Sequence, residues 1–276
     1  MTKEITLKEA QKIELDILIY LKDLCDENNL KYYLAYGTLL GAVRHKGFIP
    51  WDDDVDVFMP REDYYKLLQV MKEKPHQYYK MVSFEVNERF TAPLPKIIDT
   101  RTVLIQNYSF VERVELGVYI DIFILDGLGS NYQDALSYYK YRHEIYKKWN
   151  RADMKMFPPC SDNRGKDILR WLRNCPYKIM GIAHYLGKIQ KYGEQKSFYQ
   201  NKYVSQTSLP SCLSDPNNIW TQQQFGEGKE LMFENVLFRC PKKYHDLLTK
   251  FYGDYMPLPP KEKKVGNHDY EAYWRE

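Results

Sequence analysis

Apolar residues recur at helical spacing from the first turn of the chain. Thr6-x-x-Glu9 is a capping box, and behind it Leu7, Ala10, Ile13, Ile17, Leu21 and Leu24 form one stripe, predicting a helix that ends near Asn28-Asn29. The period then shortens. Tyr32 to Tyr36 reads as a short strand running into Gly37, and Thr38 to about Arg44 as a helix broken by Lys46-Gly47 and Pro50. Val55 to Met59 is the next strand. Pro60 opens a helix to about Lys74, with Glu62 and Asp63 in the first turn, where the helix dipole favours them. Met81 to Val86 and Lys96 to Asp99 read as strands. Val118 to Leu125 is a nearly continuous apolar strand interrupted by one charge, Asp121.

From about residue 132 the chain turns rich in Tyr, Lys and Arg. Ile168, Leu169, Trp171, Leu172, Ile179, Met180, Ile182 and Leu186 interleave there with Arg164, Lys166, Arg170, Arg173, Lys178 and Lys188. Such a basic amphipathic stretch is either a helical layer with a solvated face or a surface that rests on an anionic membrane. Gln224 to Tyr255 predicts two strands, a helix begun at Pro241 and a turn at Tyr252-Gly253-Asp254. The expected organisation is a core over 1–131, a basic and mostly helical insertion over 132–220, and a segment from 221 to 276 that packs back on the core. The expected fold class is α+β, with a mixed sheet.

A chain of 276 residues, 44% hydrophobic, supports one large domain or one domain with an appendage. Its net charge of +3 is too small to argue for a nucleic-acid partner. The polar start MTKEITLKEAQK is unlike a signal peptide, and no apolar run approaches the ~20 residues of a membrane span. Cys25, Cys160, Cys175, Cys212 and Cys240 are odd in number and lie in no metal-binding spacing, which suits reduced thiols. These features predict a cytoplasmic protein, or one peripheral to the inner face of the cell membrane.

The candidate chemistry lies between Tyr36 and Val57. On a strand, Asp54 and Asp56 project from one face with Cα atoms roughly 6–7 Å apart, while Val55 and Val57 point into a core. Two adjacent carboxylates repel and are costly to desolvate unless a cation lies between them. Hard oxygen ligands without cysteine favour Mg²⁺ or Mn²⁺. The plainer alternative is a solvated acidic loop. Gly37-Thr38 at a helix start offers free N–H groups to phosphate, and Asp121 is a charge that an apolar strand does not hold cheaply. A Gly-Thr turn, an Asp-x-Asp strand and a third Asp on a later strand resemble the nucleotidyltransferase fold of DNA polymerase beta-like enzymes.

A longer match carries more information. YYLAYGTLLGAVRHKGFIPWDDDVDVFMPREDYYKL, from Tyr32 to Leu67, resembles the LicD family, including its RH-K-G-F-I-P-WDDD segment. The resemblance continues through Val118–Phe123 with Asp126-Gly127 and through Cys240–Pro260, and is weakest over about 132–220. It implies a transferase, similar to the fukutin group, that moves a phospho-alcohol, often phosphocholine, from a CDP-linked donor to a glycan hydroxyl. It further implies that Asp54, Asp56 and Asp121 hold Mg²⁺ or Mn²⁺ against the donor diphosphate. Gly37 and Thr38 would cradle phosphate oxygens, with Arg44, His45 and Lys96 within reach of them. Asp52 and Asp53, which precede the regular strand, would support the ligands from behind or be structural, and Asp126 would be a turn former. Choline calls for an aromatic cage, for which Trp51 and Tyr36, with Tyr32 and Tyr33, lie nearby in sequence.

The implied partners are CDP-choline or a related CDP-alcohol, a glycan or lipid-linked glycan acceptor such as teichoic acid or lipopolysaccharide, and an anionic membrane. Ribitol phosphate is an alternative cargo. An Asp-x-Asp glycosyltransferase and a non-catalytic acidic or lipid-binding protein are the readings from other classes.

Overall fold

Thr6 caps the first helix as its sequence predicts. Its hydroxyl accepts from the Glu9 N–H, and the Glu9 carboxylate accepts from the Thr6 N–H. The computed structural model describes residues 3–106, 114–153, 164–206, 218–260, 262, 264, 266 and 270–276. Along the chain run α1 (Leu7–Glu27), β1 (Tyr33–Leu34), α2 (Tyr36–Arg44), β2 (Asp56–Pro60), α3 (Arg61–Glu73), β3 (Tyr79–Val82), β4 (Lys96–Asp99), β5 (Thr102–Gln106) and β6 (Tyr119–Gly129). Three helices follow, α4 (Tyr132–Asp153), α5 (Arg164–Met180) and α6 (Ile182–Gly193). The chain continues through β7 (Tyr203–Gln206), β8 (Trp220–Thr221), α7 (Gln222–Phe225), β9 (Lys229–Phe233), β10 (Val236–Cys240), α8 (Tyr244–Tyr252) and β11 (Tyr270–Trp274). Cys160 and Cys212 lie outside the described residues, while Cys25, Cys175 and Cys240 are free thiols.

The fold is α+β around a mixed sheet ordered β1-β2-β6-β4-β3, with β7 joined to β6 and β8 to β7. β6 organises it. Its first half lies between β2, which it meets in parallel, and β4, which it meets antiparallel. Its second half pairs with β7, with an irregularity between Gly127 and Gly129. All eleven of its residues are buried, which is why its sequence reads as apolar without alternation.

The two faces of the sheet differ. On one, Val57, Met59, Ile120 and Ile122 pack with α1 and α3 side chains such as Ile17, Leu21 and Leu67. The other carries an aromatic layer, in which Phe58 and Phe123 join Tyr33, Trp220 and Phe225. Helices α4 and α6 form a third cluster with Leu128 at the end of β6. Among the described residues, no helix is long and apolar enough to cross a membrane.

Two local expectations are corrected, and one ribbon was not anticipated. β3 lies earlier than the predicted Met81–Val86, because a turn in which the Val86 and Asn87 N–H groups bond to the Ser83 carbonyl ends it. The β5–β11 ribbon was not legible, since its two strands lie far apart in sequence. Asp126 is no turn former. It sits inside β6, fully buried, and accepts from Arg61 Nε and Nη2 at 2.6 and 2.7 Å. The glycine at the end of α6 is required there, because a Cβ at Gly193 would collide with this pair.

Candidate active site

Three neighbouring strands each place one charged residue in a single row. Asp56 on β2 is the register partner of Asp121 on β6, and Asp121 is in turn the partner of Lys96 on β4. Residues opposite one another on adjacent strands share a face, so all three side chains project together. Lys96 forms an ion pair with Asp121, and its Nζ lies 3.6 Å from the centre of the Tyr119 ring. Two residues further along the same face, the row becomes Phe58 and Phe123. A charged end of the sheet thus borders an aromatic wall.

Asp54 approaches this row from outside the strand. β2 begins at Asp56 rather than Val55, but the Val55 carbonyl still accepts from the Asp121 N–H at 2.8 Å, which keeps the lead-in beside β6. Carboxylate oxygens of Asp52, Asp53 and Asp54 lie within 4.8 Å of one another. The backbone around them is anchored. Gln11 of α1 donates to the Asp52 carbonyl at 2.8 Å, and the Tyr270 hydroxyl donates to the Asp53 carbonyl at 3.0 Å.

Helix α2 starts at Tyr36, two residues before the predicted Thr38, with Tyr36 at a left-handed φ of 38°. Gly37 is needed for a close approach: a Cβ there would lie 2.6 Å from Asp52 Oδ2. The Thr38 hydroxyl accepts from the Asp56 N–H at 2.8 Å, so it ties α2 to the first residue of β2. The acidic loop is folded against this helix start.

Burial raises the Asp56 carboxyl well above its ordinary range, and the carboxylates of Asp54, Asp121 and Asp52 push it further while Lys96 opposes. Sequence reasoning missed a further acid. Glu14 on α1 is buried, its Oε2 has no hydrogen-bond partner, and burial followed by Asp54, Asp53, Asp52 and Asp121 raises its carboxyl strongly. The signal was present as one charged position among the buried residues of the α1 stripe, one turn beyond Gln11.

The family model described as LicD/FKTN/FKRP, nucleotidyltransferase domain, matches residues 29–149. The chain is 34% identical over 284 residues to the lipopolysaccharide cholinephosphotransferase LicD of Haemophilus influenzae, a similarity that covers 98% of this chain and 99% of that protein. The chain belongs to the LicD family. Shorter similarities reach uncharacterized proteins of Rickettsia prowazekii, 51% identical over 49 residues (18% of each chain), and Rickettsia typhi, 41% identical over 78 residues (24% of this chain and 25% of that one).

The remaining residues of the LicD-like segment divide by surroundings. Arg44 Nη1 donates to the Tyr255 carbonyl at 2.9 Å and to that of Pro257 at 3.4 Å, so the guanidinium tethers the segment after α8. The family resemblance at 32–67 and at 240–260 thus describes two pieces that touch. His45 ends α2, and burial followed by the Arg44 charge lowers its basicity. Phe48 and Gly47 close on Glu234 in the β9–β10 turn, whose Oε1 accepts from the Phe48 N–H at 3.1 Å.

The two rings assigned to a choline cage have separate neighbours. Tyr36 packs on Phe58, Phe123 and Phe251 with centroids 4.9, 4.9 and 4.8 Å away. Trp51 meets His45 edge-on at 6.3 Å and already carries a cation, with Lys264 Nζ 5.2 Å from its ring centre. Tyr32 and Tyr33 are buried in the core, which removes both from any surface cage.

Proposed function

We propose that this LicD-family enzyme transfers phosphocholine from CDP-choline to a hydroxyl of a cell-surface glycan precursor, with a lipopolysaccharide sugar as the first acceptor class to test. The full-length similarity to the Haemophilus cholinephosphotransferase carries the reading. The strand row and the acidic loop support it, because they gather the aspartates that a nucleotidyltransferase-like core would need at one end of the sheet.

The donor set suits a hard divalent cation. Asp54, Asp56 and Asp121 would hold Mg²⁺ or Mn²⁺, with Asp52 and Asp53 beside them. When bound, the ion would neutralise charge on the donor diphosphate and on the departing nucleotide. Lys96 holds Asp121 in its rotamer and supplies a fixed positive charge beside it. Thr38 fixes where Asp56 leaves the turn. Tyr36, half-buried and backed by three rings, would meet the trimethylammonium by cation–π attraction.

In the transfer, the acceptor oxygen bonds to the choline-bearing phosphorus, and the bond from that phosphorus to the bridging oxygen breaks. CMP leaves with that oxygen, and the hydroxyl proton passes to a carboxylate of the cluster. Asp54, more exposed than Asp56 and Asp121, can return it to water. In-line positioning and charge stabilisation suffice for such a step, so no covalent enzyme intermediate is needed.

The deciding experiment measures nucleotide release from CDP-choline with Mg²⁺, with and without lipopolysaccharide or teichoic-acid precursors, beside Asp54→Asn. Acceptor-stimulated CMP that vanishes in the variant supports the reading. Turnover of CDP-ribitol instead would move the cargo and keep the site, whereas release of a nucleoside diphosphate from a nucleotide sugar would mean glycosyl transfer.

A further inference from the structure

Helix α5 is amphipathic with its faces reversed. Ile168, Leu169, Leu172, Ile179 and Met180 recur at a spacing that lines them along one side, and all five point to solvent. Ile179 is 85% exposed, whereas the buried member of the helix is a polar one, Asn174. The side that docks on the protein sets the Tyr177 ring against the α4–α6 cluster and otherwise makes polar contacts. Lys178 Nζ donates to the Ala152 carbonyl of α4 at 3.1 Å, and the Tyr177 hydroxyl accepts from Arg151 Nη1 at 2.8 Å. A helix that packs normally turns its apolar stripe inward, and a continuous exposed stripe of this kind marks an interaction surface.

The charge distribution says what covers it. Arg164, Lys166, Arg170, Arg173 and Lys178 face a single acid, Asp167, within the helix. Arg164, Lys166 and Arg173 are exposed and lie next to the stripe on the helix wheel, Lys166 and Arg173 along one margin and Arg164 with Trp171 along the other. An aromatic ring and long cationic side chains around an apolar face match the boundary between headgroups and acyl chains. At the end of α5, a cleft of about 410 Å³ opens between α4, α5 and α6, with Lys148, Lys188 and His184 and one acid, Glu144, among its walls. A second copy fits worse, because two stripes meeting face to face would bring like-charged rims together.

We propose that α5 is an interfacial helix that lays this chain on an anionic bilayer, its apolar stripe in the acyl boundary and its basic rim on the headgroups. The surface depends on neither the cargo nor the metal, so it stands or falls apart from the reading above.

Vesicle flotation of the full chain tests it. Equimolar phosphatidylglycerol and phosphatidylcholine vesicles should carry the protein at low salt, and phosphatidylcholine alone should not. Leu172→Glu with Ile179→Glu should abolish flotation, and Arg164→Gln, Lys166→Gln and Arg173→Gln together should weaken it by about a hundredfold at roughly fivefold per charge. All of these positions are exposed, and circular dichroism checks that the variants fold. Absence of flotation on anionic vesicles, or flotation unchanged by the glutamates, overturns the proposal. So does a concentration-dependent dimer, seen by light scattering, that the same glutamates dissociate, because a second copy would then cover the stripe.

Discussion

Asp56 and Asp121 stand opposite one another across the parallel pairing of β2 with β6, and the two strands meet at the acidic end of the sheet. Like charges in this position raise each other's energy unless something positive intervenes. Lys96 answers one of them, on Asp121. If a cation answers the other, Asp56→Asn should reduce turnover by about a thousandfold, the scale of metal-borne charge stabilisation. The same change should raise the melting temperature in EDTA, because it removes a buried acid surrounded by acids. A variant that lost activity while melting lower would point to a structural role.

Lys96→Met tests the third member of the row. It removes the cation beside Asp121 and leaves the methylene stem on Tyr119. A divalent ion should then bind more tightly, since an internal competitor for Asp121 is gone, while the catalysed rate falls because the fixed charge is lost. Calorimetric titration with Mn²⁺ beside rate measurements reads both. Weaker ion binding would show that Lys96 organises the site.

Thr38→Val removes the hydroxyl that accepts from the Asp56 N–H and leaves that buried group without its partner. The expected cost is about 1–3 kcal/mol of stability. Thr38→Ser should keep both stability and activity. Gly37→Ala should act differently, by pushing Asp52 from the helix start rather than by unmaking a hydrogen bond. Urea melts of the three variants separate these causes, and a stable Thr38→Val would remove the tie from the account.

The legible part of this site was local. Asp121 stood out because Ile120, Ile122, Phe123 and Ile124 around it are apolar, and the alternation at Asp56-Val57 survives as the division between the site face and the core. Three things were not legible, and each depends on contacts distant in sequence. The ordering of β2 next to β6 decides that Asp56 meets Asp121. The return of the segment after α8 decides that Arg44 Nη1 meets the carbonyls of Tyr255 and Pro257. The packing of α1 decides that Glu14 reaches the acidic loop, although the helix itself was read correctly from its stripe.

Glu14 gives the sharpest dependence on pH. Burial raises its carboxyl above the ordinary value of 4.5, and the nearby aspartates raise it further; Asp56 moves in the same direction from 3.8. A carboxyl whose folded value lies above its unfolded value makes the folded state bind more protons than the unfolded one. The stabilising contribution is therefore complete below the unfolded value and is lost as pH rises through the folded value. Metal-free protein should melt at a lower temperature at pH 8 than at pH 5. Glu14→Gln should flatten that slope and raise the melting temperature at pH 8 by a few degrees. Mg²⁺ should flatten the wild-type slope as well, since a cation among the aspartates removes part of what raises these two carboxyls. Melts in EDTA and in Mg²⁺ at both pH values decide the matter. An identical slope in the variant would mean that Glu14 is ionised in both states over this range, as it would be if water or a cation reached it.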